Sequence, residues 1–181
     1  MNIFLMVLGH ENPNCYEPSQ IAQFVMLMLD SDLVFRDQNG QFVVLMHHIA
    51  ERLQTYRQLT YSSPESAGVL IGERRGAHII ISDLSVPGDG DIRSRCRVDR
   101  RGAHHQTKVI SSFHQSEGTA QYIGEWHTHP EDHPTPSAID KLSWSKNLDT
   151  GSTMVLIIVG RQSIWLAKKE KQAIEQCLTE S

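Results

Sequence analysis

Cysteine is scarce in this chain and follows no pairing pattern. Only Cys15, Cys96 and Cys177 occur among 181 residues, an odd number with no Cys-x-x-Cys pair, which argues against a disulfide framework and fits a reducing cytoplasm. The missing Cys-x-x-Cys pair also removes the zinc deaminase signature, and base deamination with it. Basic charge is not in excess either. Seventeen Lys and Arg against 21 Asp and Glu give a formal charge of -4 and a pI near 6.2, so the basic face that a nucleic acid needs is not expected. No apolar run is long enough to span a bilayer, and Met1 to Gly9 lacks the basic n-region and cleavage site of a signal peptide. The expectation is therefore a cytoplasmic globular domain, long enough to bury a full core, a monomer without nucleic-acid or membrane partners.

Charge is concentrated in one place, at Arg93, Arg95, Arg97, Arg100 and Arg101. A solvated loop is the default meaning of such a run, and contact with an acidic protein surface is the functional one. A cysteine nucleophile at Cys96, ahead of His104 and His105, finds no group to orient it and is set aside.

What is present is a concentration of metal-binding groups in Gly124-Glu125-Trp126-His127-Thr128-His129-Pro130-Glu131-Asp132-His133-Pro134-Thr135-Pro136-Ser137-Ala138-Ile139-Asp140. On a strand, alternate side chains point the same way, so His127 and His129 can face one cation while Thr128 faces the other side. Pro130 ends that strand, and Pro136 suits the first turn of a helix on which Ser137 and Asp140 share a face. Two imidazoles and a carboxylate are the three protein ligands of a catalytic zinc, one ion per chain, with the fourth position left to water. Hydrolysis then needs a carboxylate that moves the proton without binding the metal. Glu65, at the entrance to an apolar strand, fits that role, with Glu73 as a competitor, and Ser137 is left to donate to the developing oxyanion. The bland alternatives are surface decoration for His-x-His and a helix-capping pair for Ser137 and Asp140. Capping and catalysis are compatible at Ser137.

The pattern His127-x-His129-Pro130, then Ser137-x-x-Asp140, with Glu65 upstream, resembles the motif of the JAMM (MPN-plus, Mov34-type) metalloproteases. Gly124 to Pro130, together with Tyr56-Arg57-Gln58 and Arg97-x-Asp99-Arg100, is similar to the JAMM isopeptidases of bacterial CBASS anti-phage operons. The likeness covers about residues 33 to 168. It implies an α/β domain of cytidine-deaminase-like architecture, a mixed sheet flanked by helices. The activity implied is removal of a conjugated cGAS-like nucleotidyltransferase, cut after its C-terminal residue, from a target protein. Where the branch has a glycine pair after this glutamate, Ala67 replaces the first glycine. The region around 86–105 corresponds to an insertion that shapes the substrate groove, where the arginines would meet substrate. The short 149–152 turn leaves little of the second insertion that ubiquitin-cleaving relatives use. The rival readings are a JAMM hydrolase trimming a ubiquitin-like or sulfur-carrier protein, and a non-catalytic MPN scaffold, which loses ligands that this chain retains.

Along the chain, residues 1–31 stand apart as an N-terminal extension, with an apolar helix through Ile21 to Leu29, and the JAMM domain occupies 32–181. A hairpin is expected around Asn39-Gly40, then a helix over 46–58 with Met46, Ile49, Leu53 and Tyr56 inward. Strands follow at 67–72 and 78–81, and an arginine-bearing strand at 95–100. A helix over 102–116 should turn Val109, Ile110 and Phe113 inward and leave His104 and His105 on the surface. After the histidine strand and the Ser137 helix, two more strands lie at 154–159 and 164–166, and a last helix buries Ile174, Cys177 and Leu178. Glu125 and Trp126 are expected to support the site and the packing, and His133 to face solvent.

Overall fold

The computed structural model describes residues 6–9, 31–148 and 151–180. In chain order the elements are β1 (Met6–Gly9), β2 (Leu33–Arg36), β3 (Phe42–Leu45), α1 (His47–Gln54), β4 (Ala67–Arg75), β5 (His78–Leu84), β6 (Ile92–Ser94) and β7 (Arg97–Arg100). Then come α2 (His104–Gln115), β8 (Gln121–Thr128), α3 (Ala138–Asn147), β9 (Met154–Val159), β10 (Ile164–Glu170), β11 (Ala173–Gln176) and β12 (Leu178–Thr179).

Nine of these strands form one sheet in the order β11-β10-β9-β8-β4-β5-β3-β2-β12, while β1, β7 and β6 form a second. The large sheet is mixed, because β3 with β5 and β8 with β9 run parallel and the other neighbours run antiparallel. Strand β9, between β10 and β8, is buried at every position, as a strand covered on both faces must be. Its Val155, Ile157 and Val159 join a cluster with Leu45, Ile49, Leu53 and Trp126 on the α1 face. Leu156 and Ile158 turn the other way, to Trp144, Leu148 and Trp165 on the α3 face. Val69 and Ile71 of β4 meet Val109 of α2 on that second face. The expected α/β architecture is thus observed, with α1 on one side and α2 and α3 on the other.

Four details differ from the sequence reading. Helix α1 stops at Gln54 instead of 58, where Thr55 Oγ1 folds back onto Arg52 O, and Gln58 leaves the helix to plug a buried gap. The arginine strand is a hairpin, β6 and β7, with Arg95 and Cys96 in its turn. On α2 it is His105, Val109 and Ser112 that are buried, while Ile110 and Phe113 are 47% and 43% exposed. Polar anchors set that helix's rotation, since His105 Nδ1 sits 2.6 Å from Ser85 Oγ and Ser112 donates to Asp83. Finally, the C-terminal helix is absent. Lys171, at φ 52°, turns β10 into antiparallel β11, and β12, which begins two residues after β11 ends, pairs with β2, so the sheet curls until the two ends of its strand order lie side by side. Ile174 and Cys177 would share one side of a helix, but here they pack into clusters on opposite sides of the sheet. Leu178, expected inward, is exposed.

At the other terminus, β1 pairs with β7 from Met6↔Arg100 to Gly9↔Arg97. The apolar helix expected through Ile21 to Leu29 lies outside the described residues, as do Cys15, Asp149 and Thr150. Among the described residues no helix is long and apolar enough to cross a membrane.

Candidate metal centre

Strand register builds the site. Strands β4 and β8 are antiparallel with Ala67 opposite His127, so the residues that lead into β4 lie beside the residues that leave β8. Glu65 is thereby brought to His129. Parallel β9 extends the same end, where His129 N donates to Val159 O at 3.0 Å. The alternation expected of a strand holds, because Thr128 faces away from the two imidazoles. Its main-chain N–H donates to Ser66 O, its Oγ1 accepts from Ser66 N, and its hydroxyl donates to Gln58 Oε1. Gln58 Nε2 in turn donates to Ser63 O and Arg95 O. This buried chain clamps the Glu65 segment to the histidine strand. Its residues did not stand out as a clamp in the sequence, where Gln58 figured only in the family likeness.

The loop after His129 is clamped as well. Arg161 N donates to Glu131 O and Gln162 N to Asp132 O, while Arg57 Nη1 donates to Arg161 O. Gly160 is required there, since a Cβ would lie 2.4 Å from Pro134 Cδ. The chain then enters α3 through a capping box. Ser137 Oγ accepts from Asp140 N at 3.1 Å, and Asp140 Oδ2 accepts from Ser137 N at 2.7 Å. Those two bonds fix the carboxylate that faces the histidines.

The Nε2 atoms of His127 and His129 are 3.0 Å apart, His127 Nε2 is 3.4 Å from Asp140 Oδ1, and His129 Nε2 is 3.4 Å from Asp140 Oδ2. Ligands spaced tetrahedrally around zinc at ordinary bond lengths stand about 3.3 Å apart, so this triangle fits such an ion. All three side chains are buried. One wall is Trp144, 5.8 Å from the His127 ring and stacked on Trp165.

Glu65 is 2% exposed, and Glu65, His127 and His129 offer ligand atoms within 4.8 Å of one another. Its Oε2 is buried and has no hydrogen-bond partner among the described residues. A buried oxygen without a partner carries a desolvation cost of about 1–3 kcal/mol, which a water or substrate group in the site would relieve. The segment is held from outside by the β6 hairpin. Glu65 N donates to Ser94 O, Arg93 Nε donates to Glu65 O, and Arg93 Nη2 donates to Ser66 Oγ. Its rival Glu73 is occupied elsewhere, with Arg75 and Thr119.

The electrostatics are those of a cation site. Burial would depress His129, but the Asp140 and Glu131 carboxylates outweigh it and raise the imidazole to about 9. Burial would raise Asp140, yet His127 and His129 hold it well below the ordinary carboxylate range. Burial dominates at Glu65 and pushes it up, with Asp140 adding to the rise and His129 opposing it. A field that retains a proton on His129 also favours a divalent ion.

Other expected roles are redistributed. Glu125 does not reach the centre; it pairs with buried Arg100 and accepts from Tyr122 Oη at 2.9 Å, tying β7 to β8. Trp126 is a packing residue, its Nε1 donating to Ser85 O. His133 is exposed beside Ser163. Of the five arginines expected at substrate, Arg93 holds Glu65, Arg100 holds Glu125, Arg101 pairs with Asp99, and Arg95 donates to Thr60 O and Tyr61 O. Arg97, the fifth, is exposed. His105 is a correction in the other direction, since it is buried and bonded to Ser85 and Asp91.

A mixed α/β domain with histidines on a strand end, an aspartate on the next helix and a glutamate across the sheet defines a class. The family model for prokaryotic homologs of the JAB domain matches residues 46–173, and the chain belongs to that family. It is 57% identical over 148 residues to a protein of Vibrio cholerae named CD-NTase/cGAS isopeptidase, covering 82% of this chain and 95% of that one. A protein of Escherichia coli with the same name is 49% identical over 146 residues, covering 81% and 94%. The solution structure of a protein from Desulfitobacterium hafniense superposes with a TM-score of 0.53 at 17% identity, over 74% of this chain and 88% of that one, a likeness of fold.

Proposed function

We propose that this protein is a zinc-dependent isopeptidase of the bacterial cytoplasm, acting as a monomer. In this reading it hydrolyses the bond between the C-terminus of a conjugated CBASS cGAS-like nucleotidyltransferase and its target protein, in anti-phage defence. What supports the substrate is the name its 57% and 49% identical relatives carry. What supports the chemistry is the buried, unpartnered Glu65 Oε2 beside the His127, His129 and Asp140 triangle.

His127, His129 and Asp140 would hold the ion, which supplies an acidified water and polarisation of the scissile carbonyl. The other steps belong to side chains. Glu65 takes the proton from the attacking water as the oxygen adds to the carbonyl carbon, and returns it to the leaving nitrogen as the C–N bond breaks. Ser137 Oγ accepts from Asp140 N, so its own O–H remains available to donate to the oxyanion. Arg93 and Ser94 keep the Glu65 backbone in place.

The test is to incubate the protein with a fusion whose nucleotidyltransferase C-terminus is followed by a second protein, with and without chelator, and to map the cut by mass spectrometry. Cleavage directly after the nucleotidyltransferase's last residue, lost in chelator, is expected. An intact fusion, or cleavage that survives chelation, would overturn the reading.

A further inference from the structure

We propose that Asp91, His104 and His105 form a second divalent-cation site, distinct from the His127 centre, that staples the 86–103 segment to the body of the domain. Asp91 comes from the turn-rich loop after β5, and the two histidines open α2. His105 Nε2 lies 3.0 Å from Asp91 Oδ2 and His104 Nε2 lies 3.7 Å from the same oxygen. The two imidazole centroids are 4.0 Å apart, and ligand atoms of all three residues fall within 4.8 Å of one another.

Two of the three side chains, His105 and Asp91, are oriented by further hydrogen bonds, as metal ligands usually are. His105 Nδ1 is 2.6 Å from Ser85 Oγ, which also accepts from Val69 N, so an Nδ1–H tautomer would leave the Nε2 lone pair pointing at the site. Asp91 Oδ1 accepts from Arg101 N and Gly102 N, and Oδ2 accepts from Gly88 N. The Asp91 and His105 side chains are almost fully buried, while the His104 side chain is 36% exposed and lines a cavity of about 460 Å³ between α1 and α2, which gives an ion its route in.

A plain loop clasp accounts for part of this, since Asp91 caps its own turn and His105 bonds to it. His104 Nε2 donates to Val86 O at 2.9 Å, a bond that ligation would break as the ring's proton leaves, so the ion competes with this clasp. The loop is shaped around that ring, because a Cβ on Gly102 would stand 2.2 Å from His104 Cε1. Two imidazoles and one carboxylate suit zinc, nickel or cobalt better than magnesium or calcium. The positive end of α2 and the adjacent Arg100 oppose a cation, so this site should bind more weakly than the His127 centre. Its consequence is mechanical, since the stapled segment carries Arg93 and Ser94, which hold Glu65.

The full-length protein, stripped of metal, is titrated with zinc and the bound equivalents counted by elemental analysis after gel filtration and by calorimetry. Two equivalents of unequal affinity are expected. His104→Ala, at a part-exposed position that folding should tolerate, removes the weaker one, and Asp140→Asn removes or weakens the tighter one and spares the other. Because the two variants report separately, failure of the His127 centre would leave a single equivalent that His104→Ala abolishes. A single equivalent that His104→Ala does not change, or a second that survives that substitution, overturns the proposal.

Discussion

At the scale of single residues, the site rests on side chains that do two jobs. Asp140 completes the triangle with an oxygen that also accepts from Ser137 N, and Ser137 caps α3 with the hydroxyl that the proposed mechanism assigns to the oxyanion. Ser137→Ala should therefore cost stability of about 1 kcal/mol through the lost cap, read as a lower midpoint in denaturant, and lower kcat by about 100-fold with little change in KM. A variant with unchanged kcat would leave Ser137 as a cap alone. His129 gives a pH dependence with a definite sign. Its imidazole is raised to about 9 by Asp140 and Glu131, and a ligand must lose its proton to bind metal. Affinity for zinc should rise as pH rises from 6 towards 9, measured by competition with a chromophoric chelator; an affinity that is flat over this range would contradict the assignment. The convergence of His127, His129 and Asp140 was legible because their spacing is short-range. His-x-His and Ser-x-x-Asp need only strand and helix periodicity, and the bulk of the motif falls within one turn of chain.

At the scale of elements, the clamp between β8 and the lead into β4 sets where Glu65 stands. Thr128→Val keeps the shape and removes the hydroxyl, leaving Gln58 Oε1 and Ser66 N without their partner inside the protein. Burying such groups unsatisfied costs about 1–3 kcal/mol each. A loss of stability of that order is expected from thermal or denaturant unfolding, together with a fall in kcat through displaced Glu65; a wild-type midpoint would show that the clamp carries little. The helix reading over 46–58 overran because the periodicity of Met46, Ile49, Leu53 and Tyr56 continues past Thr55, although Gln58 is drawn out to bond with Ser63 O and Arg95 O. The rotation of α2 and the rolls of His104 and His105 were hidden for a related reason, since their partners Ser85, Asp83 and Asp91 lie more than ten residues upstream. Ala67, where the likeness leads one to expect glycine, joins the Trp144 and Trp165 cluster. Gly68 beside it cannot vary in the same way, because a Cβ would lie 2.0 Å from Ser85 O.

At the scale of the whole molecule, one sheet with helices on both faces was readable from alternating strand and helix patterns, and the apolar run of β9 marked a strand covered on both faces. The two ends were not. Three-residue spacing of Ile174 and Cys177 fits a helix stripe as well as two faces of a strand, and the choice is made by Lys171's turn and by the pairing of β12 with β2, which the curl of the sheet brings beside β11. The arginine run shows the same limit. Its charges read by default as a solvated loop, with a partner surface as the functional alternative, while Arg93 and Arg100 are spent on Glu65 and Glu125 inside the molecule. The antiparallel register of β4 and β8 brings these pieces together, since it sets the Glu65 carboxylate beside His127 and His129, which face Asp140 of α3. The most direct measurement is Glu65→Gln, assayed for zinc by elemental analysis and for cleavage of the nucleotidyltransferase fusion in the same preparation. One tightly held zinc per chain with cleavage reduced by about 100- to 10,000-fold is expected, whereas zinc retained with cleavage at the wild-type rate would contradict the assignment of the proton to Glu65.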